Sequence, residues 1–139
     1  MARARVGRAW IAVSCILCGV GCGEAWQETD VLEQLPAWIR TEVAPAHGEG
    51  ILFLVSEQSL LNCRNLGRDL RHEPDRGRAT VMAPQDDSAA LARYLAVERV
   101  RIPIVWLRDE AQQQDLSELV FPLRLVLTHG EVSGWRVVR

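Results

Sequence analysis

The chain has 139 residues, 24% of them charged, with 16 basic and 18 acidic side chains and a net charge of −2. This length supports one small domain with a real core, and not two. All the basic residues are Arg, no basic stripe runs along any segment, and nucleic acid is not an expected partner.

The first residues read as an export signal. Arg3, Arg5 and Arg8 form a basic region, and Trp10 to Val20 is an apolar run too short for a membrane span. Gly19-Val20-Gly21-Cys22-Gly23 resembles a bacterial lipobox, in which small residues precede a cysteine that is lipidated and becomes the new N-terminus. Gly19 departs from that pattern, which places an aliphatic residue there. The expectation is a lipoprotein anchored through Cys22 at the cell envelope, on its periplasmic or outer-surface side. The alternatives are an ordinary cleaved leader, giving a soluble exported protein, and an uncleaved anchor. Cys15 and Cys18 leave with the leader and Cys22 carries lipid, so Cys63 is left alone. One thiol cannot form an internal disulfide, and stability must come from packing.

Residues 23 to 30 read as a tether. Asp30 caps a predicted helix through Val31, Leu32, Leu35, Trp38, Ile39 and Val43, which Pro36 threatens to split into two pieces. Pro45 to Gly50 reads as a loop. Ile51 to Val55 is apolar at every residue, the pattern of a central strand covered on both faces. A helix is predicted over Leu60 to Arg71, with Leu61, Leu66 and Leu70 toward the sheet. His72 to Gly77 is a turn and Ala79 to Ala83 a second strand. Asp87 or Ser88 caps a helix with Leu91, Tyr94, Leu95 and Val97 inward. A third strand, Ile102 to Leu107, contains Pro103, which places that residue at the strand start or on a sheet edge. Asp109 to Gln114 reads as a polar loop, with a helical turn over Leu116 to Leu119. The end is a hairpin: Leu123 to Leu127, a turn at Thr128-His129-Gly130-Glu131, and a return through Val132, Trp135 and Val137. The fold class is therefore α/β, a mixed sheet flanked by helices and ending in an antiparallel hairpin.

The stretch richest in chemistry is Ile51-Leu52-Phe53-Leu54-Val55-Ser56-Glu57-Gln58-Ser59-Leu60-Leu61-Asn62-Cys63-Arg64, a strand that gives way to a helix carrying the lone cysteine. A helix N-terminus stabilises a thiolate, and the end of such a strand opens onto a crevice. This junction resembles the strand, Cys-x-x-Cys and helix of the thioredoxin-like fold, most closely its exported thiol-disulfide oxidoreductase and redoxin branch. Val120-Phe121-Pro122-Leu123 is similar to that family's cis-proline segment. Thr128-His129-Gly130-Glu131-Val132 is similar to its turn between the last two strands. The resemblance covers about Gly50 to Val138. It implies a leader over 1–21, a tether and N-terminal helix over 22–49, and a thioredoxin-like domain over 50–139.

By that resemblance Cys63 holds the second cysteine position and is the candidate catalytic residue. Leu60 replaces the first cysteine, the nucleophile, so the dithiol cycle is not available within one chain. Pro122 and Phe121 would bind a client, with Pro122 cis. The chain also stops where the family's last helix would follow, so a sheet face or edge is expected to need a partner or the tether. The partners implied are a protein thiol or disulfide client or another envelope protein, together with the membrane through Cys22. Two readings stay open: a monothiol redox protein acting through Cys63, and a binding or scaffold module. An accessible thiol of depressed pKa would mark the first, and a shielded thiol the second.

A one-cysteine peroxidase of this fold would want Thr or Ser at position 60 and a Pro upstream, and both are missing. His47, His72 and His129 fall in predicted loops without metal-ligand spacing, so no metal and no cofactor is expected. Asp86-Asp87 reads as a helix cap rather than an acid-base pair. Trp106 and Trp135 read as core, and Trp26 and Trp38 as packing the N-terminal arm.

Overall fold

Every residue of strand β1 (Gly50–Leu54) is buried, as its uninterrupted apolar sequence requires. It is the middle strand of five in the order β3-β2-β1-β4-β5. The computed structural model describes residues 35–139. The expected leader, Cys22, Trp26 and the cap at Asp30 lie outside the described residues. Ala37–Arg139 forms one compact unit, and among the described residues no helix is long and apolar enough to cross a membrane.

Strands β2 (Ala79–Pro84) and β3 (Ile104–Leu107) run parallel to β1, while β4 (Leu123–Thr128) and β5 (Glu131–Val137) form an antiparallel hairpin that joins β1 through β4. The fold is therefore α/β with a mixed sheet and a terminal hairpin, as the sequence predicts. The hairpin turn is two residues, His129 (φ 52°) and Gly130 (φ 74°), both left-handed. Such a turn matches the twist of the flanking strands. Pro103 lies just outside β3, which is an edge strand and shorter than predicted; its carbonyl still accepts from the Val81 N–H at 2.9 Å.

The helices depart more from expectation. The N-terminal arm is a π-helix over Ile39–Val43 that continues into α1 (Ala44–His47), where a loop was expected from Pro45. Proline is tolerated in a helix's first turn, because its missing N–H would have no partner there anyway. The single helix predicted over Leu60 to Arg71 is two: α2 (Glu57–Leu61) and α3 (Leu66–Arg71). Leu66 and Leu70 are buried as expected, but Leu61 is 78% exposed. Helix α4 (Ser88–Val97) buries Leu91 and Leu95, while Val97 is 73% exposed rather than inward. The segment read as a polar loop is helix α5 (Glu110–Ser117), started by the Asp109 carboxylate accepting from the Gln112 N–H at 3.0 Å.

Side chains alternate across a strand, so β1 separates two layers. Ile51, Phe53 and Val55 face Cys63, Leu66, Leu70, Val81, Leu91, Leu95 and Val138 in one core. Leu52 and Leu54 point the other way with their cross-strand partners Leu125 and Leu123. Helix α5 packs on β2 and β3, and α1 on β5. Trp38 reaches α5 through an Nε1–H bond to Asp115 Oδ2 at 2.8 Å. Trp106 is half-buried against the Phe53 core.

Candidate functional site

Strand β1 delivers the chain to Ser56, which is extended and begins α2 as its N-cap. The Ser56 hydroxyl accepts from the Ser59 N–H at 3.1 Å, and the Ser59 hydroxyl accepts from the Ser56 N–H at 2.8 Å. This reciprocal box satisfies two donors that a helix start leaves orphaned. A third, the Glu57 N–H, is taken by Asp87 Oδ2 at 2.9 Å. Asp87 thus caps α2 from across the fold, and makes no side-chain cap bond on α4, where it was expected to act.

Helix α2 stops at Leu61 because Asn62 diverts its neighbours. Its side-chain amide donates to the Gln58 carbonyl at 3.3 Å and to the Val120 carbonyl at 3.1 Å. The second bond spans 58 residues and draws the Val120-Phe121-Pro122 segment against the cysteine-bearing break. The two stretches that carry the family resemblance therefore meet in space.

Cys63 lies in the break between α2 and α3, not inside one continuous helix. It is 7% exposed and belongs to the Phe53 core. Burial pushes its thiol up from the ordinary range; N–H groups of Asn65 and Leu66 donate toward the sulfur and oppose the rise, and the charge of Asp69 adds to it. Burial wins, so the resting state is the thiol, which is neither a good nucleophile nor a good metal ligand. Leu60, where the resemblance would place a first cysteine, packs half-buried on the same core.

Pro122 is buried and Phe121 half-buried. No peptide bond among the described residues is cis, so the Phe121–Pro122 bond is trans, against the expectation from the resemblance. The Pro122 carbonyl is occupied by the Val138 N–H at 2.9 Å, and the Arg139 guanidinium lies 5.3 Å from the centre of the Phe121 ring. In the same segments Leu61 and Val120 are 78% and 58% exposed, two of the four exposed large hydrophobics among the described residues.

One charged pair lies inside the same layer. Glu73 and Arg124 make two hydrogen bonds, Nε to Oε1 at 2.5 Å and Nη2 to Oε2 at 3.1 Å, with the Glu73 side chain 1% exposed. The Asp75 N–H adds a third bond to the carboxylate at 2.8 Å. Arg124, on β4, sits directly across from Phe53 on β1 and from Arg136 on β5, and Arg136 in turn pairs with Asp69 at 2.6 Å. These bonds fasten α3 and the loop after it to the hairpin. Burial works to raise the Glu73 carboxyl, but Arg124 and the Asp75 N–H outweigh it and hold it below the usual carboxylate range.

His47 ends α1, His72 follows α3, and His129 sits in the hairpin turn with Nδ1 3.5 Å from Glu49. Among the described residues no three His, Cys, Asp or Glu side chains gather as metal ligands. Sequence spacing starts the helix at Leu60 and misses the Ser56-x-x-Ser59 box, whose signal is a serine directly after the apolar run. Nothing local signals the roles of Asn62, Glu73 or Arg139. Comparison with protein-family models, curated proteins and solved structures gives no match.

Proposed function

We propose that this chain is an envelope protein, lipid-anchored through Cys22, whose thioredoxin-like domain has a degenerate single-cysteine site and binds a protein client instead of exchanging disulfides with it. The observation that carries this reading is the state of Cys63: nearly enclosed, its thiol pushed up by burial, and without a partner cysteine at Leu60. Thiol exchange needs an accessible thiolate. Client binding needs exposed apolar surface on a rigid support. Leu61 and Val120 supply that surface, and Asn62, Pro122 and the serine box hold its backbone.

The test is the rate of Cys63 alkylation against pH, read by mass spectrometry on the peptide between Arg40 and Arg64, which separates Cys63 from the other three cysteines. The expected result is modification far slower than a free thiol of pKa ~8.5, becoming fast only when the domain is unfolded. Rapid alkylation of the folded chain with a midpoint below that pKa would instead support a monothiol redox protein.

A further inference from the structure

Because β1, β2 and β3 are parallel, the two ends of the domain collect different loops. Those following the strands' C-terminal ends carry Glu57, Asp86, Asp87, Asp109 and Glu110, with Arg108 as the one base among residues 56–57, 85–88 and 108–110. Those leading into the N-terminal ends of β2 and β3 carry Arg76, Arg78, Arg99 and Arg101 together with Glu73, Asp75 and Glu98, Arg71 ends α3 beside them, and Glu49 precedes β1 at the same end. The first end is net negative and holds Cys63, Pro122 and the Leu61–Val120 patch; at the other, residues 71–78 and 98–101 hold five arginines against three acidic residues.

Hydrogen bonds gather the basic residues into one corner. The Arg76 guanidinium donates to the Arg101 carbonyl at 3.1 Å, and that of Arg71 to the Glu98 carbonyl at 2.9 Å. Val100 is buried and Ile102 packs on the core, so the alternating Arg99 and Arg101 project into water. Arg78 is paired with Asp75 at 2.9 Å and lies 3.7 Å from Glu49, and Arg71 lies 3.8 Å from the Glu98 carboxylate. Arg76, Arg99 and Arg101 form no ion pair among the described residues. The three come from two segments more than twenty residues apart, so only the fold assembles them.

We propose that this corner docks on the anionic headgroups of a phospholipid surface, so that the domain stands with its client patch turned away from the membrane. The inference rests on the anchored reading above, because a tethered domain stays beside such a surface. Each arginine near an anionic leaflet strengthens binding by roughly fivefold, so three supply on the order of a hundredfold, and the effect fades within a Debye length. The acidic end is repelled by the same surface, which adds orientation to attraction.

The experiment mixes the full-length chain with vesicles of phosphatidylcholine alone, or of phosphatidylcholine with phosphatidylglycerol. Flotation reports association, and amide hydrogen exchange reports which end is covered. The expected result is protection of residues 74–78 and 98–103 on anionic vesicles only. That protection should disappear at about 1 M salt, where the Debye length is ~3 Å, and in the combined Arg76→Gln, Arg99→Gln, Arg101→Gln variant, whose melting temperature checks that it still folds. Flotation with both lipids but unchanged exchange would overturn the docking and leave the anchor standing. Salt-sensitive flotation on anionic vesicles alone would support the docking and remove the anchor. Protection at the Leu61–Val120 end, or no flotation at all, would overturn the docking.

Discussion

The two faces of the central strand are filled differently. One side of β1 presents Ile51, Phe53 and Val55 to a layer that includes a thiol and, alongside, a buried ion pair. The other presents Leu52 and Leu54 beside Leu123 and Leu125, and its polar link is the bond from Trp38 to Asp115 near its cover. The first face holds everything that could be chemistry, yet each polar group there is used in structure. Among the described residues no buried side-chain nitrogen or oxygen lacks a partner. The junction that reads as a redox site in the sequence is core in the structure. The sulfur serves as one more small apolar group, and the charged pair serves as a clasp.

Cutting each face at its centre gives the largest effects. Phe53→Ala should destabilise the domain by about 4 kcal/mol, and Leu125→Ala by about 3 kcal/mol, because both side chains are 0% exposed and each leaves a cavity. Urea unfolding of the two variants measures this. A cost below 1 kcal/mol for either would mean that its face is loosely packed, and the comparison would fail.

The faces should separate under acid. Glu73→Gln removes the charge but keeps the shape, leaving Arg124 uncompensated, and should cost about 3 kcal/mol near neutral pH. The folded Glu73 pKa lies below its unfolded value. The stability it contributes is therefore fully present above the unfolded carboxylate pKa of about 4.3 and is lost as pH falls through the lower folded value. The wild-type chain should lose stability over that window, and Glu73→Gln should lose less. Leu125→Ala should follow the wild-type slope. Thermal melts between neutral and acidic pH check both, and parallel slopes for wild type and Glu73→Gln would remove the clasp from the account.

Much of this contrast was legible before any coordinates, and the part that was not has a physical cause. The all-apolar β1 and the hairpin turn at His129-Gly130 announce themselves through local pattern, whereas Asp87, expected to cap α4, caps α2 from across the fold. The split between α2 and α3 does not, because the bonds that stop α2 reach from Asn62 to Val120, far away in sequence. Helix α5 was missed because Leu116 is its one buried residue, which leaves too weak an apolar stripe to read. Leu61 was assigned inward by spacing within one continuous helix, and the break turns it out. The trans Pro122 departs from a resemblance, which can place a proline but not fix its isomer. At the site itself, the solitary thiol was visible and its enclosure was not, since enclosure depends on Leu66, Leu70 and Val138 converging from different elements.

A smaller effect probes the aliphatic side. Trp38→Phe keeps an aromatic side chain, smaller than the indole, and removes the Nε1–H donor to Asp115; loss of the bond should cost about 1 kcal/mol, roughly 4–8 °C in melting temperature for a domain near this size. Proteolysis near Arg40 should rise with it, because that bond ties the π-helix to α5. Unchanged protease sensitivity would show that packing at Ile39 and Ala44 holds the arm without the bond.

The smallest change in stability should carry the largest change in function. Leu61→Asn alters a side chain that is 78% exposed, so its cost to folding should stay within about 0.5 kcal/mol. If the apolar patch is where a client rests, the same substitution removes a central contact, and such contacts are worth 1–2 kcal/mol or more, about tenfold in affinity. Cys63→Ala sets the contrast, because it deletes the sulfur and leaves the patch intact. Crosslinking in envelope preparations, with recovered partners compared among wild type, Leu61→Asn and Cys63→Ala, distinguishes the readings. Binding by contact predicts that partners survive the loss of the thiol and not the loss of the leucine. The reverse order would mean that the buried sulfur becomes exposed during function, and that the clasped face opens as the aliphatic face does not.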